Sequence, residues 1–236
     1  FVMGVSGGAA VAALGAMLIG LSGFAIDAAA SLGAFAVTLL VFGLAHGPGS
    51  WVPARLLLTG IVVAAGTSAI VSMLLALGED SQLRGMLFWL MGDLSISRRP
   101  EPLLAVLGIA LVLAYPLARH LNLLARGDLQ ARVLGAPVDA MRIGIFLASS
   151  ILTAAAVTTT GTIGFVGLVT PHLARMMLGA DHRRVLPAAA LLGGTLVMLA
   201  DLAARTLFAP RQLPVGALTA LIGVPLFLVL MRRQAR

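Results

Sequence analysis

Few residues of this chain belong to types that do chemistry, and their spacing limits what that chemistry is. Asp201 stands four residues before Arg205, so the two share a helix face. Either they form a local ion pair that seats the helix end, or Arg205 points outward as a docking charge for an acidic partner. His172 follows Pro171 in a segment broken by glycines. A lone histidine in that setting hydrogen-bonds a neighbouring backbone group more often than it binds metal. Thr158, Thr159 and Thr160 either line a polar cavity or bond back to their own helix.

The stretch Arg126 to Pro137, RGDLQARVLGAP, is the most specific of these features, a polar island between two long apolar runs. Asp128 suits the positive N-terminus of a short helix, where it would act as the cap. Ala131 and Leu134, three apart, make a small apolar stripe from which Arg132 lies off to one side. Gly135 and then Pro137 stop the helix. A short helix with an apolar ridge outside the membrane suits insertion into a groove on a partner. The competing reading is an ordinary loop with one helical turn.

Absences narrow the choice further. There is no cysteine, which excludes disulfides, a thiol nucleophile and thiolate metal sites. All 16 basic residues are arginine. Without lysine there is no P-loop lysine and no Schiff-base chemistry, so any ATP hydrolysis belongs to another chain. Paired carboxylates and metal-ligand clusters do not appear either, and the chain is not expected to be an enzyme or to hold a cofactor or metal.

These residues must be positioned by elements that live in lipid. The chain of 236 residues is 60% hydrophobic and 11% charged, with a mean hydropathy of +1.05. A soluble domain of this length cannot hide so much apolar side chain. A span needs about 20 apolar residues to cross about 30 Å of hydrocarbon. Val2–Leu21, Ala28–Ala45, Leu56–Leu77, Pro102–Ala118, residues 143–160 and 164–178, residues 185–203, and Leu213–Met231 supply eight such runs. His46-Gly47-Pro48-Gly49-Ser50 separates the second from the third. Pro187 sits in a tolerable first-turn position of the seventh. The run Gly85–Gly92 is too short to cross and predicts an interfacial or re-entrant helix with Trp89 at headgroup level. The fold class is therefore all-α, a polytopic helical bundle forming a single domain over residues 1–236. The first run carries no charge and no basic leader, so it reads as a span, and its abrupt start implies preceding residues.

Arginine counting orients the bundle. With a cytoplasmic C-terminus, alternation puts Arg55, Arg119, Arg126, Arg132, Arg142, Arg175, Arg183, Arg184, Arg232, Arg233 and Arg236 inside. Arg84, Arg98, Arg99, Arg205 and Arg211 fall outside. That asymmetry obeys the positive-inside rule and puts RGDLQARVLGAP in the cytoplasm. It also accounts for the net charge of +7 without nucleic-acid binding. Glycines such as Gly7, Gly8, Gly15, Gly20, Gly60, Gly66, Gly193 and Gly194 allow close helix packing in lipid, or leave a passage for a large solute.

Several of these stretches together resemble one family. Gly4-Val5-Ser6-Gly7-Gly8-Ala9 resembles L-G-(I/V)-S-S-G-A, with glycine for the second serine. Phe88-Trp89-Leu90-Met91-Gly92-Asp93-Leu94 resembles F-W-L-M-G-S-L, with Asp93 in place of serine. Gly127 to Gly135, GDLQARVLG, resembles G-E-x-x-A-R-x-L-G, with aspartate for glutamate. Gly164 to Arg175 (GFVGLVTPHLAR), Asp181-His182-Arg183 and Leu213-Pro214-Val215-Gly216 follow in order. From Gly4 to Arg236 the chain is similar to the FecCD-type permeases of ABC importers, the family of vitamin B12, haem and iron-siderophore permeases.

The resemblance implies a ten-span subunit whose first two spans are missing here. It implies a homodimer on two ATP-binding subunits, which bind ATP and magnesium, fed by a periplasmic substrate-binding protein at the bacterial inner membrane. Arg126, Gly127, Asp128, Ala131, Arg132, Leu134 and Gly135 fall at the family's contact with the ATPase, and Arg205 at a binding-protein docking position. Ser6, Gly7, Gly8, Thr158, Thr159 and Thr160 are the candidates for the translocation path. The expected cargo is a metal chelate, an iron-siderophore first, with haem or cobalamin as the others. Two other classes stay open: an ion-coupled secondary transporter, which needs titratable midplane sites, and a non-transporting membrane scaffold.

Overall fold

Apolar runs punctuated by glycine and proline fold into helices, because in lipid a backbone must satisfy its own hydrogen bonds. The computed structural model describes residues 4–45, 53–94, 101–209 and 212–234, so the 46–50 break, Arg98, Arg99, Arg211 and Arg236 lie outside it. The described residues form ten helices and no strand: α1 Val5–Leu18, α2 Phe24–Ala45, α3 Pro53–Leu77, α4 Asp80–Met91, α5 Glu101–Leu124, α6 Asp128–Val133, α7 Val138–Thr160, α8 Val166–Leu178, α9 His182–Thr206 and α10 Val215–Gln234.

Five of these, α2, α3, α5, α7 and α9, are long and apolar enough to cross a membrane. Of the other three expected spans, α1 and α8 are shorter as helices, whereas α10 is a helix of 20 residues. α1 has 14 residues, and the apolar stretch of α10 runs over Val215–Leu230. α8 has 13 residues, because the chain between α7 and α8 is not helical. Gly161 takes φ 70° there and Phe165 takes φ 65°, a left-handed backbone that costs a bulky residue energy. The Phe165 side chain packs where Gly223 of α10 has no Cβ to obstruct it.

The helices fall into two compact units. In the first, α1 packs against α2 and α3. A Cβ on Gly8 would stand 2.5 Å from the Gly33 carbonyl oxygen, and one on Gly33 would stand 2.3 Å from that of Gly8. The two backbones therefore cross in direct contact, which only glycine permits. Gly7 instead faces the Thr67 side chain of α3, which occupies the space a Cβ there would need. The core of this unit joins Val5, Ala9, Ala13 and Leu14 to Ala30, Ala34, Met86 and Trp89.

Trp89 corrects one expectation. It is buried, not exposed at headgroup level, because the alanine face of α1 leaves room that the indole of the short α4 fills. A second correction concerns Pro187. Asp181 caps α9 and starts it at His182, so Pro187 falls beyond the first turn and leaves the Arg183 carbonyl without its usual intrahelical donor.

In the second unit α8, α9 and α10 pack together around Ala200, Ala204 and Val215. Here the Val215 N–H donates to the Gly92 carbonyl at 3.1 Å. The Gln212 side chain donates to Asp93 at 3.1 Å, so a carboxylate in the FWLMGDL stretch has a partner.

Candidate functional site

The polar island is a helix of six residues, α6, flanked by tight turns on both sides. Ala125, Arg126 and Gly127 each donate their N–H back to the last turn of α5. The N-cap is Gly127, with no side-chain cap. Asp128 is thus the first helical residue and not the cap, placed where a negative charge meets the positive helix end. At the other end Gly135 has φ 79°. Its N–H donates to Arg132 and that of Ala136 donates to Ala131, at 3.0 and 2.9 Å. This is the Schellman arrangement, which needs a left-handed residue at Gly135.

The apolar stripe differs from the expected one. Ala131 is fully buried, whereas Leu134 is 61% exposed, so the two do not form one ridge. The outward ridge is Leu129 and Val133, 79% and 80% exposed, with Leu134 beside them. Leu129 and Val133 are four apart and share a face; that spacing was the available signal. Arg126, Asp128 and Arg132 are exposed around the ridge.

The Asp181-His182-Arg183 motif joins a polar cluster through Asn122, a residue near α6 in the chain that the sequence did not single out. Asn122, in the last turn of α5, donates through Nδ2 to Asp181 Oδ1 at 2.8 Å. Its Oδ1 accepts the His182 backbone N–H at 2.9 Å and lies 2.7 Å from His182 Nδ1. Asp181 Oδ1 also accepts the Arg183 N–H at 3.0 Å. The Asn122 amide, and after it the Arg183 N–H, hold the Asp181 carboxyl below the usual carboxylate range. A groove of about 340 Å³ opens here between Arg119, Asn122, Leu123, Asp181 and Arg183.

At the opposite end of α9, Arg205 Nε meets Asp201 Oδ2 at 2.9 Å. The ion pair forms, yet the Arg205 side chain stays exposed. His172 lacks the expected backbone partner at Nε2, which is buried and unpaired. No group of three or more potential metal ligands occurs among the described residues.

Candidates for a passage separate into two sets. Ser6 and Gly7 line a cavity of about 290 Å³ in the first unit, with Ser68, Ser72, Leu90 and Thr162. Gly8 instead serves the α1–α2 crossing. Thr158, Thr159 and Thr160 donate back to Ala154, Ala155 and Ala156 of α7 at 2.9 to 3.0 Å, so their hydroxyls are already satisfied within the helix.

With this geometry established, comparison with known proteins gives a consistent result. A family model described as the FecCD transport family matches residues 1–233. The hemin transport system permease protein of Yersinia pestis is 45% identical over 208 residues, covering 87% of this chain and 62% of that protein. The cobalamin import system permease protein of Halobacterium salinarum is 39% identical, covering 100% of this chain and 64% of its own length. An ABC transporter permease protein of Bacillus subtilis is 37% identical, with 100% and 69% covered. The chain therefore spans somewhat under two thirds of the first two relatives. Among solved structures, a metal-chelate type ABC transporter in an inward-facing conformation superposes with a TM-score of 0.90 at 32% identity, over 99% of this chain and 75% of the other.

Proposed function

The chain belongs to the FecCD transport family, and from that premise we propose that it is the membrane-spanning permease part of an ATP-driven importer for a metal chelate. The observation that carries this reading is α6, a capped helix between apolar segments that turns Leu129 and Val133 outward. An apolar ridge on a helix of that size fits a groove on a partner protein. The partner is a pair of ATP-binding subunits, on which ATP and magnesium bind; this chain hydrolyses nothing itself.

The permease is a single domain that works as a homodimer in the bacterial inner membrane, with its C-terminus and α6 in the cytoplasm. A periplasmic binding protein docks near Arg205 on the other side. Eight spans cross the bilayer in this chain.

The cargo class includes iron-siderophores, haem and cobalamin. Identity of 45% to a hemin permease supports testing haem first, beside the siderophore. The cavity at Ser6 and Gly7 is the proposed stretch of the path. The test uses the full-length protein, co-expressed with its ATPase subunits and reconstituted in proteoliposomes. Uptake of haem or a ferric siderophore is expected only with ATP and the binding protein present. Uptake driven by a proton or sodium gradient without ATP would overturn the reading.

A further inference from the structure

We infer that Asn122 is a positioning residue that locks the start of α9 to the α5–α6 corner, so that α9 is the rod linking α6 to Arg205. The inference rests on the permease reading above and names the part of the chain that carries the signal.

Asn122 is half-buried and uses both ends of its amide. Nδ2 donates to Asp181, while Oδ1 accepts the His182 backbone N–H and faces His182 Nδ1. Capping α9 does not require any of these bonds, since Asp181 already accepts the Arg183 N–H on its own. What the Asn122 bonds add is a tie to a second element. That element leads directly to α6. Two residues after Asn122 α5 ends, and the N–H groups of Ala125, Arg126 and Gly127 all fold back onto its last turn. A displacement of α6 therefore has no slack linker in which to dissipate before it reaches Asn122.

The other end of the rod is equally defined. α9 runs as one helix for 25 residues, about 37 Å, with Pro187 removing a single backbone bond near its start, and its last turn carries Arg205, held against Asp201 yet exposed. One end is pinned by hydrogen bonds beside the proposed ATPase contact, and the other presents a cation at the proposed docking face. Coupling between two such sites is reciprocal: nucleotide on the ATPase changes the affinity for the binding protein by the same factor as the converse.

The test measures affinity of the binding protein for the full-length permease–ATPase complex in nanodiscs, nucleotide-free and with a non-hydrolysable ATP analogue. The wild type is expected to show a change of about tenfold between the two states. Asn122→Leu should cut that change to less than about twofold, with the nucleotide-free affinity itself nearly unaltered. Asn122→Asp, which opposes two carboxylates, should do the same. Adding Asp181→Asn to it places a donor opposite an acceptor again and should restore most of the response. A purely structural defect would deepen with the second substitution, so the rescue separates positioning from folding. A full nucleotide response in Asn122→Leu, or a double variant no better than Asn122→Asp, overturns the inference. A wild-type protein that binds neither the ATPase subunits nor the binding protein overturns the permease reading itself, before any variant is made.

Discussion

Gly8 and Gly33 show how much a single residue decides in a lipid-facing bundle. Helices in lipid gain little from hiding apolar surface, so they rely on close contact. At this crossing each glycine would place a Cβ within 2.5 Å of the opposite carbonyl oxygen, and a backbone atom cannot rotate away. Gly8→Val should therefore cost about 3 kcal/mol through overpacking. Gly15 lies on the same helix with nothing within 4 Å of its Cβ position, and Gly15→Ala should change stability by less than about 0.5 kcal/mol. Thermal unfolding of both variants in detergent checks the contrast, and equal losses would remove Gly8 from the crossing. The sequence held both glycines without ranking them. Both obey the same small-residue pattern, and only the register of α2 against α1 tells them apart.

At the scale of the element, α6 carries the clearest test. Its C-terminal end was legible because glycine and proline act locally: Gly135 takes the left-handed backbone that the helix stop demands, whereas the N-cap is Gly127 and not the expected Asp128. Its faces were not, because Ala131 and Leu134 satisfy one spacing, Leu129 and Val133 another, and tertiary packing chooses between them. Trp89 went astray for a related reason: aromatic enrichment at membrane interfaces is a statistical tendency, and a cavity beside small residues outweighs it. The five helices long and apolar enough to span were readable from length and hydropathy, whereas the break at 161–165 shortened α8 beyond what glycine positions alone indicated. Charge on the true ridge should matter most. Val133→Glu and Leu129→Glu are each expected to weaken ATPase association at least tenfold, since a buried interfacial carboxylate without a partner costs at least about 2 kcal/mol. Leu134→Glu should weaken it less. Pull-down of the ATPase subunits by the tagged permease measures this, and undiminished capture by Val133→Glu would place the contact elsewhere.

For the whole molecule, orientation follows from where helix ends meet. α9 is long enough to span, and on the proposed topology Arg183 and Arg205 fall on opposite sides of the bilayer. The Asn122–Asp181 bond puts the end of α5 on the same side as the start of α9, which is what arginine counting requires of Arg119, Arg126 and Arg183. The bond joins those two helix ends; the side of the membrane on which they and α6 lie is the proposal to be tested. The absence of native cysteine makes the assignment directly measurable with single-cysteine variants. Gln130→Cys, on exposed α6, should react with a membrane-impermeant maleimide only in inside-out vesicles. Phe208→Cys, just past α9 and exposed, should react only from outside in intact spheroplasts. Labelling of Gln130→Cys from the outside would invert the bundle. It would also separate α6 from any cytoplasmic ATPase, since lipid about 30 Å thick would stand between them.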